Sequence, residues 1–379
     1  MKILLATHYY STHGGGIEIV ASALADRLSA RHEIAWAASD CDAFAGSARV
    51  RPLPMRSVNV VERLTGLPFP LWGPVSLVRL WREVRRADVV HLHDFAYMGN
   101  VAAFVFAHAS GRPVLVTQHV GFIPYKSAVL RAMLVTLHRT IGRLMLGRAE
   151  QVVFISPLVR DYFGAIVGYR TPPVLVWNGV DTDTFRAAGP GDRVRARAEL
   201  GLDPDAPVMV FVGRFVEKKG LALIERLARA MPDVTWLLAG RGPIDPQSWH
   251  APNVRVVTGR SGTGLVPLYH AADLLVLPSV GEGLPLVVQE AMSCGTPAIV
   301  GVDTAQAVDA PADLVFASPV ESSDAAAAWD AAIRRAVTDL RGRPDATARA
   351  AAFARARWSW QACADGYDAL LTRLAAGRD

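Results

Sequence analysis

Short apolar runs that end in polar residues recur along the chain: KILLA (2–6), HEIAWAA (32–38), VVHLH (89–93), VLVTQH (114–119) and VVFIS (152–156). Between them lie longer stretches with apolar positions at helical spacing, the first from about Ile17 to Leu28. Strands separated by helical crossovers predict parallel pairing in βαβ units, because a parallel neighbour cannot be reached by a tight turn. The rhythm restarts with VMVFVG (208–213), VTWLLAG (234–240), VRVVTG (254–259), DLLVLPS (273–279) and PAIVG (297–301). Helices are expected near Gly220–Ala230, Val266–Ala271 and Leu286–Cys294, and an Ala-rich helical tail near 323–340, 345–357 and 360–376. The segment WNGVDTDTFRAAGPGD (177–192) concentrates Gly, Asp, Asn and Pro and reads as an interdomain connection. The expected fold class is α/β, with two doubly wound, Rossmann-like domains. The first covers 1–180, the linker 181–192 and the second 193–357. Two such domains create a cleft between the carboxyl ends of their sheets, where loops and helix N-termini converge on ligands.

Composition narrows the class. The chain has 379 residues, 51% hydrophobic and 20% charged, which is enough apolar material for real cores and excludes global disorder. No uncharged apolar run reaches the roughly 18 residues of a spanning helix. The apolar part of MKILLATHYY is too short for a signal peptide and is expected to be the first strand. Cys41, Cys294 and Cys363 are far apart and form no metal-binding spacing, so reduced thiols in a cytoplasmic protein are expected. The net charge of +5 divides into +8 over residues 1–180 and −3 over 181–379. Between Asp94 and Glu150 there is no acid, but there are Arg112, Lys126, Arg131, Arg139, Arg143 and Arg148. Leu130, Met133, Leu134, Leu137, Ile141, Leu144 and Met145 recur at helical spacing in the same stretch. The segment 126–148 therefore fits an anionic membrane surface, or a helix packed on the sheet.

Candidate chemistry follows the strands. HGGGIE (13–18) succeeds the first strand and opens a helix; its glycines, Gly15 and Gly16 among them, admit a ligand to the backbone at the positive end of a helix dipole. It is not the dinucleotide fingerprint GxGxxG, and a tight strand-to-helix turn would also explain it. VGRFVEKKG (212–220) places Arg214 and Lys219 beyond a strand, a pair suited to a diphosphate or to a solvated loop. GEGLPLVVQEAMSCGTP (281–297) sets Glu282 in a loop and Glu290 on the following helix, in an otherwise apolar passage. Carboxylates are costly there unless they meet hydroxyls or cations, and vicinal sugar hydroxyls supply paired hydrogen bonds. The N–H groups of Gly283, Leu284 and Leu286 at the helix start are placed for a phosphate. His119 ends the strand of TQHVG (117–121), where its imidazole can hydrogen-bond a sugar hydroxyl; His91 and His93 read as structural. DTD (181–183) falls in the linker and does not read as a metal clamp.

Together GGG (14–16), TQH (117–119), NGVDTDTF (178–185), VGRFVEKKG, AGRGP (239–243), the block from Tyr269 to Pro297 and WSWQACADGYDALL (358–371) resemble the family 4 glycosyltransferases, retaining enzymes of the GT-B fold. The resemblance implies a nucleotide-diphosphate sugar as donor (UDP-, GDP- or ADP-linked) and a glycan or lipid-linked hydroxyl acceptor. It implies no metal, no cofactor and no nucleic-acid partner, and a role in cell-surface polysaccharide or glycolipid synthesis. Glu290 would bind the ribose hydroxyls and Glu282 hydroxyls of the donor sugar. Arg214 and Lys219 would neutralise the diphosphate, Gly15 and Gly16 would approach it from the first domain, and His119 would line the reaction centre. The last helix, 358–379, would pack back on the first domain. The segment GVDTAQAVDAPADL (301–314) lacks the Gly-Gly and Glu common in the family. With no carboxylate in the first half clearly placed as a nucleophile, a front-face route is expected, in which the leaving phosphate helps deprotonate the acceptor. The expected location is the cytoplasm or, peripherally, the inner face of the plasma membrane. Rival readings are a nucleotide-sugar epimerase or hydrolase of the same plan, and a non-catalytic peripheral membrane-binding module.

Overall fold

Two parallel sheets organise the chain in the computed structural model, which describes residues 1–65, 68–123 and 127–377. The first unit comprises Met1–Gly179 together with Trp360–Asp379; the second is Val180–Ser359. In the first, strands β1 (Lys2–Ala6), β2 (Glu33–Ser39), β3 (Val50–Met55), β4 (Val89–His93), β5 (Val114–Gln118), β6 (Gln151–Phe154) and β7 (Val174–Leu175) pair in the order β3-β2-β1-β4-β5-β6-β7. In the second, β8 (Val208–Val212), β9 (Thr235–Ala239), β10 (Val254–Val257), β11 (Leu274–Leu277), β12 (Ala298–Gly301) and β13 (Val315–Ser318) follow the order β10-β9-β8-β11-β12-β13. Within each sheet these strands pair in parallel. Central strands such as β4, β5 and β8 are buried at every residue, as expected when helices cover both faces.

Each order reverses once, between β1 and β4 and between β8 and β11. At such a reversal the loops beyond neighbouring strands diverge and leave a crevice at the carboxyl edge. The helices that matter to the sites are α1 (Gly16–Leu28), α2 (Met98–Ala109), α3 (Ala128–Leu137), α4 (Arg143–Arg148), α5 (Pro157–Gly164), α6 (Leu221–Ala230), α7 (Val266–Ala271), α8 (Leu286–Ser293) and α9 (Trp360–Ala376).

Three strands of these two sheets were not foreseen from the sequence, nor was the small antiparallel pair Ser57–Val58 with Leu71–Trp72. β3 contains Pro52 and Pro54, which argue against a strand unless it lies at an edge, where the missing N–H faces away from the ladder. It is an edge strand, as is β13, and β7 has only two residues. The expected linker 181–192 folds with the second unit. Phe185 is buried near Tyr269, with ring centres 6.1 Å apart, and the Arg186 carbonyl accepts from His270 Nε2 at 2.9 Å. The Asp181 carboxylate takes the N–H groups of Asp183 and Thr184 and the Thr184 hydroxyl, so the DTD acids close a turn. Helix α9 belongs to the first unit. There the Arg27 guanidinium lies 4.8 Å from the Trp360 ring centre, Arg31 and His32 meet Asp368, and the Thr117 hydroxyl donates to Tyr367 Oη. The expected continuous helix over 126–148 is interrupted: α3 passes into a π-helical turn, His138–Gly142, and then α4. Lys126 lies outside the described residues.

Candidate active site

The second unit's site begins with glycines. Gly220, after the β8 loop, has φ +75°, and a Cβ there would stand 2.2 Å from the Pro278 carbonyl oxygen. Glycine therefore lets the β8 loop lie directly against the end of β11. A backbone bond from Val280 N–H to the Lys218 carbonyl, 3.0 Å, seals the approach. Gly240 plays the same part for the β9 loop, since a Cβ would come within 1.9 Å of the Gly213 oxygen. Phe215 N–H donates to the Arg241 carbonyl at 2.8 Å. Three loops are thus locked together around the reversal between β8 and β11.

That packing brings Lys219 Nζ to 2.7 Å from Glu282 Oε1, with the side chains only 14% and 12% exposed. Burial by itself would raise the Glu282 carboxyl, but the Lys219 and Lys218 ammoniums outweigh it and hold the pKa below the ordinary value. Burial pushes the neighbouring Lys218 down, with Glu282 opposing and Lys219 and Arg214 reinforcing the shift. Arg214 is exposed, and its guanidinium makes no hydrogen bond or ion pair among the described residues. The loop thus carries one cation paired with Glu282, one half-buried cation and one exposed cation. Leu286 opens α8, and its N–H, like those of Gly283 and Leu284, donates to no backbone carbonyl among the described residues.

Glu290 lies one turn along α8 from Leu286. It accepts a hydrogen bond from the buried Tyr269 hydroxyl on α7, 2.7 Å to Oε2. Burial pushes this carboxyl up to about 7, with the Tyr269 bond pulling the other way. The two glutamates therefore sit in opposite electrostatic settings, one ionised against lysine and the other half-ionised near neutrality. The cations and the helix start suit a diphosphate; the two carboxylates suit hydroxyls, Glu290 on the helix a diol.

The first unit has its own cluster beyond β1 and β4. Gly14 has φ +85°, and α1 starts at Gly16. A Cβ on Gly15 would sit 2.2 Å from Glu18 Oε2, so glycine makes room for a carboxylate only 2% exposed. Glu18 Oε1 is 2.7 Å from His8 Nε2, and the His8 ring stacks on Tyr97 at 3.7 Å. Asp94, at φ +69°, accepts from the N–H groups of Phe95 and Ala96 and from the Gln118 amide. His119 is buried and shares a 2.9 Å hydrogen bond with His93. Burial drives the His119 pKa down to about 3, so the ring is neutral at physiological pH.

Of the residues picked from sequence, Lys219 and Glu282 are in contact, and Arg214, Gly283, Leu284 and Leu286 share their loop cluster. Glu290 meets Tyr269 rather than Glu282. Gly15, Gly16 and His119 lie in the first unit. His93 is linked directly to His119. Lys218, Tyr269, His8, Glu18 and Asp94 were missed. Glu18 carried a signal, an acid on the face of α1 that also holds the buried Ala21, Ala25 and Leu28; Tyr269 and Asp94 gave none.

Comparison with known proteins defines the class. The model of Glycosyltransferase Family 4 matches residues 14–184, and that of Glycosyl transferases group 1 matches residues 206–339. The sucrose-phosphate synthase of Thermosynechococcus elongatus superposes with TM-score 0.77 at 21% identity, over the whole of both chains. HepE of Anabaena, solved in complex with UDP, gives 0.77 at 18% identity over 98% of this chain and all of that one. At such identities the likeness is one of fold, and the fold is GT-B, the two-sheet architecture of glycosyltransferase enzymes. The chain is thus similar to family 4 glycosyltransferases over residues 14–184 and to group 1 glycosyltransferases over residues 206–339. It is 37% identical over 206 residues to the D-inositol 3-phosphate glycosyltransferase of Segniliparus rotundus, covering 50% of this chain and 44% of that protein. It is 33% identical over 209 residues to the enzyme of that name from Mycobacterium marinum, covering 50% and 43%. The matched stretches thus span less than half the length of these curated relatives. No helix among the described residues is long and apolar enough to cross a membrane.

Proposed function

We propose that the protein is a retaining glycosyltransferase that moves a sugar from a nucleotide-diphosphate sugar to a hydroxyl acceptor. The reading rests on one observation above all: Lys219 and Glu282, from loops on either side of the sheet reversal, meet at 2.7 Å beside the exposed Arg214. Arg214 and Lys219 bind the diphosphate, and the N–H groups of Gly283, Leu284 and Leu286 support it. As the anomeric carbon–oxygen bond breaks through an oxocarbenium-like state, negative charge grows on the leaving phosphate, and these fixed donors stabilise it. Glu282 accepts hydrogen bonds from sugar hydroxyls and Glu290 from the ribose diol. The departing phosphate oxygen takes the acceptor proton on the same face, which gives retention. Gly15, Gly16 and His119 are assigned to this reaction by resemblance; a neutral His119 acts as a hydrogen-bonding group and not as a charge. The acceptor is a glycan or a lipid-linked hydroxyl, in cytoplasmic synthesis of a surface polysaccharide or glycolipid.

The experiment is a thermal-shift screen with UDP-, GDP- and ADP-sugars, because a ligand that binds only the folded state raises its melting temperature. One nucleotide class is expected to stabilise the protein, and Arg214→Ala to weaken that effect. Equal shifts in variant and parent would remove the site assignment. Rapid conversion of the nucleotide sugar without acceptor would instead establish the epimerase or hydrolase reading.

The Glu290 pKa near 7 gives a second expected result. Its carboxylate must be ionised to accept from both ribose hydroxyls. Affinity for the nucleotide sugar therefore rises about ten-fold from pH 6 to pH 8, the change in ionised fraction across such a pKa. Nucleotide sugars are the right probe, since their diphosphates do not titrate in that window. The unliganded fold behaves oppositely. A carboxyl raised above its unfolded value contributes stability that is complete at acid pH and lost as pH rises through 7. Glu290→Gln should flatten the affinity profile, and a profile unchanged in the variant would exclude Glu290 from the ribose site.

A further inference from the structure

Helix α3 has the sequence AVLRAMLVTL, in which only Arg131 and Thr136 are polar, yet it contains no buried residue. Val129 is 69% exposed and Met133 63%. An apolar helix left in water at such exposure is unusual in a folded chain. The turns that follow explain how it is held out. Gly142 packs so closely on Phe95 that a Cβ would come within 2.7 Å of that ring, and His138 Nδ1 is pinned to the Tyr162 hydroxyl at 2.8 Å. The π-helical turn and α4 are thereby anchored to the core, and α3 touches it only through Leu137 at its end, leaving Val129 and Met133 outward.

Beside this helix is a cavity of about 520 Å³ lined by Phe122, Val135, Arg139, Arg143, Tyr162 and Ile166, with Ala165. Its apolar wall is aromatic and aliphatic. Its two cations, one α-helical turn apart in sequence, make no hydrogen bond or ion pair with a side chain among the described residues. Nearby acids are already engaged: Asp161 with Arg160 at 2.7 Å and Glu150 with Arg170 at 2.7 Å. No acid occurs between Asp94 and Glu150.

We propose that this surface docks on an anionic lipid bilayer, with Val129 and Met133 entering the interface and Arg139 and Arg143 holding a headgroup phosphate over the cavity. Unpaired cations next to an apolar lining match an amphiphile with a charged head and a hydrocarbon body. A free phosphate would satisfy the arginines but leave the exposed apolar helix unexplained. The inference does not depend on the sugar-transfer reading.

The test is flotation of the full chain with vesicles of phosphatidylcholine, with and without phosphatidylglycerol, at low salt. Binding is expected only with phosphatidylglycerol and should weaken as salt rises. Each arginine removed should lower partitioning about five-fold, so Arg139→Gln with Arg143→Gln lowers it about thirty-fold. Val129→Ser with Met133→Ser should lower it at an unchanged salt dependence. Nucleotide-sugar thermal shifts of these variants should match the parent, since none touches the second unit's site. Equal flotation on phosphatidylcholine alone, or none on phosphatidylglycerol, would overturn the proposal. So would stabilisation by inorganic phosphate through Arg139 and Arg143 without vesicle capture, or a dimer abolished by Met133→Ser in a protein that does not float.

Discussion

Lys219→Ala is expected to lower turnover by about 100- to 1,000-fold, the usual consequence of removing one preorganised donor to a developing anion. The lysine has two jobs in this geometry. Its ammonium faces the leaving phosphate in the proposed reaction, and it also neutralises Glu282 at 2.7 Å. Without it, burial raises the Glu282 pKa, and Lys218 and the Ser279 hydrogen bond remain to oppose that shift. Steady-state kinetics should therefore show a fall in kcat that exceeds any rise in KM for the nucleotide sugar. Lys219→Arg restores the charge but not the compact head group, and recovers activity only in part. The double variant Lys219→Ala with Glu282→Gln should be less impaired than the product of the single effects, because residues in one ion pair do not act independently. A turnover close to that of the parent in Lys219→Ala would take Lys219 out of the chemistry and leave it a structural partner of Glu282.

Glu18→Ala should destabilise the first unit markedly. It leaves His8 without its 2.7 Å partner in a site where the two side chains are 4% and 2% exposed. Removing a buried hydrogen bond to a charged group, and leaving the imidazole without its acceptor, costs about 1.5–3 kcal/mol. At about 2–4 °C per kcal/mol for a unit of this size, the melting transition of the first unit should fall by roughly 6 °C. Replacing both members, His8→Leu with Glu18→Leu, should recover much of the loss, since an apolar pair carries no desolvation penalty. Burial alone would raise the Glu18 carboxyl, but the His8 hydrogen bond and charge overcome it and lower the pKa. A depressed carboxyl contributes stability that is complete above the ordinary carboxylate range and lost as pH falls through its folded pKa. The difference between parent and variant should accordingly shrink in acid. A melting curve unchanged at neutral pH would show that the pair contributes nothing.

The α/β rhythm and the positions of the central strands were legible because a strand covered on both faces must be apolar at every residue. KILLA, VVHLH and VMVFV come close to that condition, with Lys2, His91 and His93 as the exceptions, and are buried almost throughout. VRPLPM does not read that way, since its prolines are tolerated only because β3 lies at an edge. The candidate site divides on similar lines. Arg214, Lys219 and Glu282 could be chosen because charge directly after an apolar strand is conspicuous, and Glu290 because an acid inside an apolar helix is costly.

Their chemistry was another matter. Whether a glutamate is ionised depends on what stands across from it, and those neighbours are far away in the chain. Lys219 and Glu282 are 63 residues apart, Tyr269 and Glu290 are 21 apart, and His93 and His119 are 26 apart. Local sequence patterning therefore set the strands, the reversal loops and the inventory of charged groups, because these follow from periodicity and from the cost of burying charge. Pairing the groups, and with it the low pKa of Glu282 and the raised pKa of Glu290, required the loops to pack through Gly220 and Gly240. Electrostatic energy falls with distance in space, and distance in space is assigned by the folded chain.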